Sequence, residues 1–196
     1  MKAPRASIAA AGAAGLAGIA VTTSLAAGLV GPRSVRFFAE EVTLCASRAP
    51  LGLEVEGVYH LRNEGLLPLS LPIRFPFAAG PEVTSSRLDL VELDGQPVDS
   101  RFDQAGAGFS LHLPARQEAS LRVRYRQRLA RPVGRYVVTT VRDWGHPVAR
   151  ARFEVRLPEG CTLNSATEPI EPSTGVGTAL SFWPEHDLEF GWSCED

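Results

Sequence analysis

Few residue types in this sequence could carry chemistry, and its three cysteines come first. In an oxidising compartment, Cys45, Cys161 and Cys194 would form one disulfide and leave one free thiol, and three pairings are open. We favour Cys161 with Cys194, because each lies at the end of a predicted strand and the bridge would close the loop-rich C-terminal segment. In the loop-entropy model this bridge contributes roughly 3 to 4 kcal/mol. The alternative is three reduced, buried thiols that pack as small apolar side chains.

The four histidines are the only imidazole groups available for a metal site or a general base. They are His60, His112, His146 and His186. No two have a ligand spacing such as i, i+2 or i, i+4. The sequence also lacks a Gly-x-Ser-x-Gly elbow, a His-Glu-x-x-His motif and a phosphate-binding glycine loop. We therefore expect no metal site and no cofactor.

A row of alternating arginines is the strongest charge feature. Arg122, Arg124 and Arg126 belong to residues 122–156, which contain ten arginines and two acids, whereas residues 157–196 contain eight acids and no lysine or arginine. Such a face could bind an anionic glycan, a lipid headgroup or nucleic acid. The overall net charge of -2 gives no reason to expect nucleic acid. The alternative is a solvated strand face that the acidic C-terminal strand neutralises in part.

The tryptophans offer aromatic surface for stacking on a sugar ring. Trp144 lies in a predicted turn and is the better surface candidate, while Trp192 lies in a late strand and is expected in the core. Trp183 stands close to Glu185 and Asp187, a pair of carboxylates that could serve a glycoside hydrolase.

Short alternating segments predict the elements that position these residues. The 196 residues include 18 glycines and 15 prolines, which break the chain too often for long helices. Apolar and polar residues alternate along ten segments. The predicted strands are residues 53–62, 67–77, 88–93, 98–102, 109–113, 121–129, 136–141, 149–157, 178–182 and 188–192, the last two as a pair. Asp94-Gly95 predicts a tight hairpin turn, and three prolines predict that 67–77 is an edge strand.

These strands predict an all-β protein, a single antiparallel β-sandwich of immunoglobulin-like type over residues 33–196. Residues of common parity within each strand should face the core. The expected core includes Val55, Tyr59, Leu121, Val123, Tyr125, Phe153 and Val155.

The N-terminal segment has the pattern of a signal peptide over residues 1–28. Lys2 and Arg5 precede a long uncharged, apolar run, and small side chains favour cleavage after Ala26 or Gly28. The alternative is an uncleaved membrane anchor, because the run is long enough to span a bilayer although it is only weakly hydrophobic. Either way, we expect an extracytoplasmic protein, periplasmic or secreted, that meets a membrane only through a retained anchor.

One segment contains a Tyr-x-Gln strand at Tyr125, a Tyr-x-x-Thr-Thr strand at Tyr136, a turn with Trp144 and a strand that ends in Leu-Pro at Pro158. In these elements it resembles uncharacterised secreted bacterial immunoglobulin-like β-sandwich domains. The resemblance implies a fold and export, and no activity. The three cysteines are not part of the shared pattern.

The sequence therefore favours an exported, non-catalytic binding or scaffolding module of the bacterial envelope. Its partner would be an envelope protein or a glycan, met by the arginine row and Trp144 on a rigid support. The alternative is a carbohydrate-active hydrolase that uses carboxylates such as Glu185 and Asp187 beside Trp183.

Export makes a direct prediction for the mature protein. Intact-mass analysis of the extracytoplasmic form should show the loss of about 26 to 28 N-terminal residues, because signal peptidase cleaves after small side chains. A full-length product that stays in the cytoplasm would contradict this prediction.

Overall fold

A computed structural model describes Ala20–Val21 and residues 34–195. The predicted signal peptide and its cleavage sites lie outside these residues, apart from that pair. The described chain is almost entirely β-structure, with one 3-10 helix of six residues at Thr139–Trp144. The strands are β1 (Ala20–Val21), β2 (Val35–Arg48), β3 (Leu51–Asn63), β4 (Leu69–Pro76), β5 (Val83–Leu93), β6 (Gln96–Pro97), β7 (Ser100–Asp103), β8 (Gly106–Leu113), β9 (Glu118–Leu129), β10 (Val133–Tyr136), β11 (Val148–Arg156), β12 (Cys161–Ala166), β13 (Ile170–Glu171), β14 (Val176–Phe182) and β15 (Leu188–Cys194).

The strands form three sheets. The large sheet has eight strands in the order β13-β14-β11-β2-β3-β9-β5-β6, and two small sheets have the orders β1-β4-β8-β7 and β10-β15-β12. All pairs are antiparallel except β11 with β2, which is parallel. The prediction of an all-β protein is confirmed, but the prediction of a single antiparallel immunoglobulin-like sandwich is wrong.

The parallel pair follows from the path of the chain after β9. Because β9 is antiparallel to β3, and β3 to β2, β9 and β2 run in the same direction. Residues 130–147 then carry the chain back to the starting end of the sheet, as a parallel neighbour requires. The predicted strand 136–141 is part of this return, where β10 ends at Tyr136 and the 3-10 helix begins at Thr139.

Two further predictions can be compared with the structure, and one strand was missed. The long central strand β2 was not predicted, and β14 and β15 do not pair with each other but belong to different sheets. The turn at Asp94-Gly95 is confirmed between β5 and β6, with positive φ at both residues, 51° and 76°.

The two small sheets cover the inner face of the large sheet. The first packs on β3 and β9, where the ring centroid of Phe75 lies 5.6 Å from that of Tyr59 and 5.9 Å from that of Tyr125. The second packs on β11, where the rings of Tyr136 and Phe153 are 6.4 Å apart. Apolar residues of all three sheets join in one buried cluster. All seven predicted core residues belong to it, the most exposed being Val155 at 7%.

A group of polar side chains is buried where the three sheets meet. The hydroxyl groups of Tyr59 and Tyr136 form a hydrogen bond of 2.7 Å. Glu40 lies opposite Tyr59 on β2 and is 2% exposed, and its Oε1 atom has no hydrogen-bond partner in the described structure. A register shift between Phe37 and Ala39 turns Glu40, rather than Glu41, towards the core. Burial raises the pKa of Glu40 from 4.5 to about 8.

Glu40 should therefore make the stability of the fold depend on pH. Between about pH 4.5 and pH 8 the folded state retains a proton on Glu40 that the unfolded chain has lost, so the free energy of unfolding falls as the pH rises through this window. Glu40→Gln removes the titrating group. The free energy of unfolding of this variant, measured relative to that of the wild type, should rise by more than about 1 kcal/mol between pH 5 and pH 8.5. One pKa unit corresponds to about 1.4 kcal/mol.

The measurement is urea unfolding of both proteins across that pH range. Glu41→Gln is the matched control, because Glu41 is the next residue but its side chain is 48% exposed beside Arg150. The control should keep the pH dependence of the wild type. Parallel stability curves for the wild type and Glu40→Gln would contradict the prediction.

Candidate binding surface

The outer face of the large sheet carries the predicted arginine row. Side chains alternate between the two faces of a strand, so the residues between the core positions of β9 all point outward. On β9 the side chains of Arg122 and Arg126 are 51% and 58% exposed, and Arg124 between them is half-buried. The outward orientation of the predicted row is confirmed.

Acidic residues of the two neighbouring strands, β3 and β5, partly neutralise this row. Arg122 lies 3.3 Å from Glu56 of β3, and Arg126 lies 2.7 Å from Asp89 of β5. Arg124 forms no ion pair within the described part of the chain. The alternative interpretation of the row also placed the acidic C-terminal strand beside it. That placement is wrong, because β15 belongs to a different sheet.

Asp89 lies at a bulge in β5, and its carboxylate contacts two arginines. The register of β5 on β9 shifts between Leu88 and Leu90, which leaves Asp89 as the extra residue. Its side chain is only 10% exposed and accepts two hydrogen bonds from Arg126, from Nε at 2.7 Å and from Nη2 at 2.9 Å. The Nε atom of Arg87 lies 3.7 Å from the same carboxylate. The hydrogen bonds and charge of Asp89 raise the pKa of Arg126 above its usual value.

A groove of about 560 Å³ opens at one end of this face, beside the turn between β2 and β3. Three arginines line it, Arg87, Arg126 and Arg128, together with Glu54 and Cys45. Pro50 adds apolar surface from the turn. Arg128 was part of the alternating pattern in the sequence. Arg87 and Asp89 were not identified, because a bulge interrupts the alternation that would have marked them.

Trp144 does not lie on this surface. It is 8% exposed, and its ring centroid lies 5.5 Å from that of Phe37 in the core. The predicted turn is instead a 3-10 helix that ends at Gly145 with φ of 74°, and this helix directs the indole inward. The prediction of Trp144 as a surface stacking residue is therefore wrong. Trp192 is buried as expected, whereas Trp183 is 40% exposed with the guanidinium of Arg142 5.7 Å from its ring.

The two carboxylates near Trp183 have different surroundings. Asp187 accepts hydrogen bonds from Arg135 at 2.9 Å, from the hydroxyl of Thr139 at 2.8 Å and from the backbone amides of Val138 and Thr139, each at 3.2 Å. The Oδ1 atom of Asp187 therefore holds the start of the 3-10 helix, and its Oδ2 atom binds Arg135 of β10. Glu185 is exposed and takes no part in this network.

The cysteines adopt the favoured pairing. Cys161 and Cys194 face each other across β12 and β15 and form a disulfide, with Cα atoms 3.9 Å apart. Cys45 is a free thiol, partly buried on the outer face. Burial, first of all, raises the pKa of this thiol, and the neighbouring Arg156 opposes that effect.

Two further properties concern metal ions and membranes. Among the described residues, no group of three His, Cys, Asp or Glu side chains could hold a metal ion. The same part of the chain has no helix with the length and apolarity needed to cross a bilayer.

Comparison with known proteins places only the fold. No family model and no curated protein matches the sequence. A proposed nutrient-binding protein of Legionella pneumophila superposes with a TM-score of 0.59 at 14% identity, over 81% of this chain and 67% of that protein. An M1 zinc metallopeptidase of Deinococcus radiodurans matches with a TM-score of 0.46 at 15% identity, over 81% of this chain and 42% of the enzyme. The chain thus spans less than half of that enzyme. At these identities, the likeness to the Legionella protein shows a shared fold and nothing of activity.

Proposed function

We propose that this protein is an exported, non-catalytic binding module of the bacterial envelope. Its recognition surface is the outer face of the large sheet, centred on Arg122, Arg124 and Arg126. The observation that carries the proposal is Arg124, a guanidinium without an acidic partner in the described structure, held between two arginines that carboxylates fix in place. A rigid sheet that presents such an array is suited to recognise negative charge.

Two other observations support export and binding. The Cys161–Cys194 disulfide is typical of oxidising, extracytoplasmic compartments, which agrees with a periplasmic or secreted location. One solved structure that shares the fold is the proposed nutrient-binding protein of Legionella pneumophila, and its name is compatible with a binding role here. A retained N-terminal anchor would place the same module at the membrane surface.

The partner that fits this face carries negative charge on a protein or a glycan of the envelope. Arginine binds carboxylate, sulfate and phosphate groups through paired N–H donors. Exposed charges attract weakly and are screened by salt, so binding should weaken as the ionic strength rises.

The proposal predicts that the arginine row contributes a specific site rather than general charge. Arg122→Gln/Arg124→Gln should weaken saturable binding to heparin, used as a probe for acidic glycans, and to partners captured from envelope extract, by about tenfold or more. That change corresponds to about 1.4 kcal/mol lost over two contacts. Binding is measured with the exported protein on a biosensor at two salt concentrations.

The control removes the same charge elsewhere. Arg101→Gln/Arg116→Gln changes two arginines that lie outside the large sheet, on β7 and in the turn before β9. This variant should bind almost as well as the wild type. Equal losses for both double variants, or binding without saturation, would show that only net charge matters and would defeat the proposal.

A further inference from the structure

We propose that the groove beside the turn between β2 and β3 is a binding site for a small organic anion. The ligand would carry one oxyanion group, a carboxylate or a phosphate, on a short apolar body. This inference adds a small-molecule site to the binding surface proposed above, and the experiment below separates the two. The anion would bind Arg126 and Arg128, and the apolar body would lie against Pro50 and Cys45.

Asp89 orients two arginines of the groove before any ligand binds. The side chain of Asp89 is 10% exposed and accepts hydrogen bonds from Nε and Nη2 of Arg126, at 2.7 and 2.9 Å. The Nε atom of Arg87 lies 3.7 Å from the same carboxylate. No hydrogen bond to a described residue uses the Nη1 group of Arg126. A guanidinium that is already oriented loses less conformational entropy when it binds an anion.

The arginines of the groove outnumber the carboxylates beside them. Arg128 is two residues further along β9 on the same face, and it forms no ion pair in the described part of the chain. Three guanidinium groups therefore meet two carboxylates, Glu54 in the groove and Asp89 behind it. The excess of one positive charge suits a ligand with a single anionic group.

The size and lining of the groove suit a small molecule. Its volume of about 560 Å³ lies within the range of small-molecule sites, roughly 300 to 1,000 Å³. Gly52 lies on the floor of the groove. A Cβ atom at this position would lie 2.8 Å from the backbone oxygen of Gln127 and 3.1 Å from Ser47 Oγ. The close approach of β3 and β9 here therefore requires glycine. Pro50 of the turn and Cys45 of β2 line the groove beside this point and give it an apolar wall.

Cys45 provides a native probe of occupancy. It lines the groove and is the free cysteine of the chain, since the other two form the disulfide. A ligand in the groove should protect it from N-ethylmaleimide, which mass spectrometry can follow at pH 8. The probes are hexanoate, hexyl phosphate, neutral hexanol and inorganic phosphate, each also measured by titration calorimetry.

We expect hexanoate or hexyl phosphate to slow the labelling of Cys45 at least threefold at saturation, and hexanol to leave it unchanged. The stronger of the two anions identifies carboxylate or phosphate as the natural group. Arg128→Gln and Arg126→Gln should each raise the dissociation constant at least fivefold. Arg62→Gln, on the outer face of β3 but outside the groove, should leave it unchanged, and thermal unfolding should verify that each variant is folded.

Several results would overturn the inference. Equal protection by hexanol would show an apolar cleft without anion recognition, and equal protection by inorganic phosphate would show that the apolar wall contributes nothing. Equal weakening by Arg62→Gln would indicate general charge attraction, and no protection by any probe at millimolar concentration would exclude the site. Loss of heparin binding in Arg122→Gln/Arg124→Gln tests the proposed function separately, because neither residue lines the groove.

Discussion

Covering the inner face of the eight-stranded sheet is the constraint on which the rest of this structure depends. Neither small sheet, of four strands or of three, can bury that face alone, so the chain supplies both. They meet the large sheet through aromatic side chains, Phe75 against Tyr125 and Tyr136 against Phe153. The hydrogen bond between Tyr59 of β3 and Tyr136 of β10 joins the large sheet to the three-stranded sheet. Aromatic pairs contribute both area and preferred geometry, which explains why the junction is built from them.

The junction also accommodates a costly group. Glu40 is buried without a partner for one of its oxygens, and a neutral acid is the form that such a site tolerates. Burial raises the pKa of the Tyr59 hydroxyl as well, so both groups are uncharged at neutral pH. The β-bulge that points Glu40 inward thus determines the protonation chemistry of the core.

A second bulge sets the chemistry of the surface. With the inner face buried, the large sheet presents its outer face to solvent, where charged residues alternate with core residues on strands such as β9 and β11. The bulge at Asp89 brings one carboxylate to two arginines of neighbouring strands and leaves Arg128 without an acid. The same departure from regular pairing therefore creates an ordered arginine pair and an excess of positive charge at the groove. The proposed surface and the proposed ligand site both follow from this placement.

Alternation of apolar and polar residues was enough to predict strands such as β3 and β9, the buried side of each, and the all-β class. These features depend on the period of two within a strand, which is local. The position of Cys161 and Cys194 at strand ends also favoured their disulfide, which the structure contains. The sequence did not reveal β2, because its bulge breaks the alternation at Phe38 and two acidic residues follow.

Only the tertiary structure decided which strands are neighbours. The parallel pairing of β11 with β2 joins residues about a hundred positions apart, and no local pattern specifies such a partner. For the same reason the sequence misplaced the acidic strand beside the arginines and left Trp144 on the surface. The turn that holds Trp144 becomes a buried 3-10 helix because Asp187, from a distant segment, binds its first amides. Local periodicity thus determined which face of each strand is buried, whereas long-range packing determined which side chains meet.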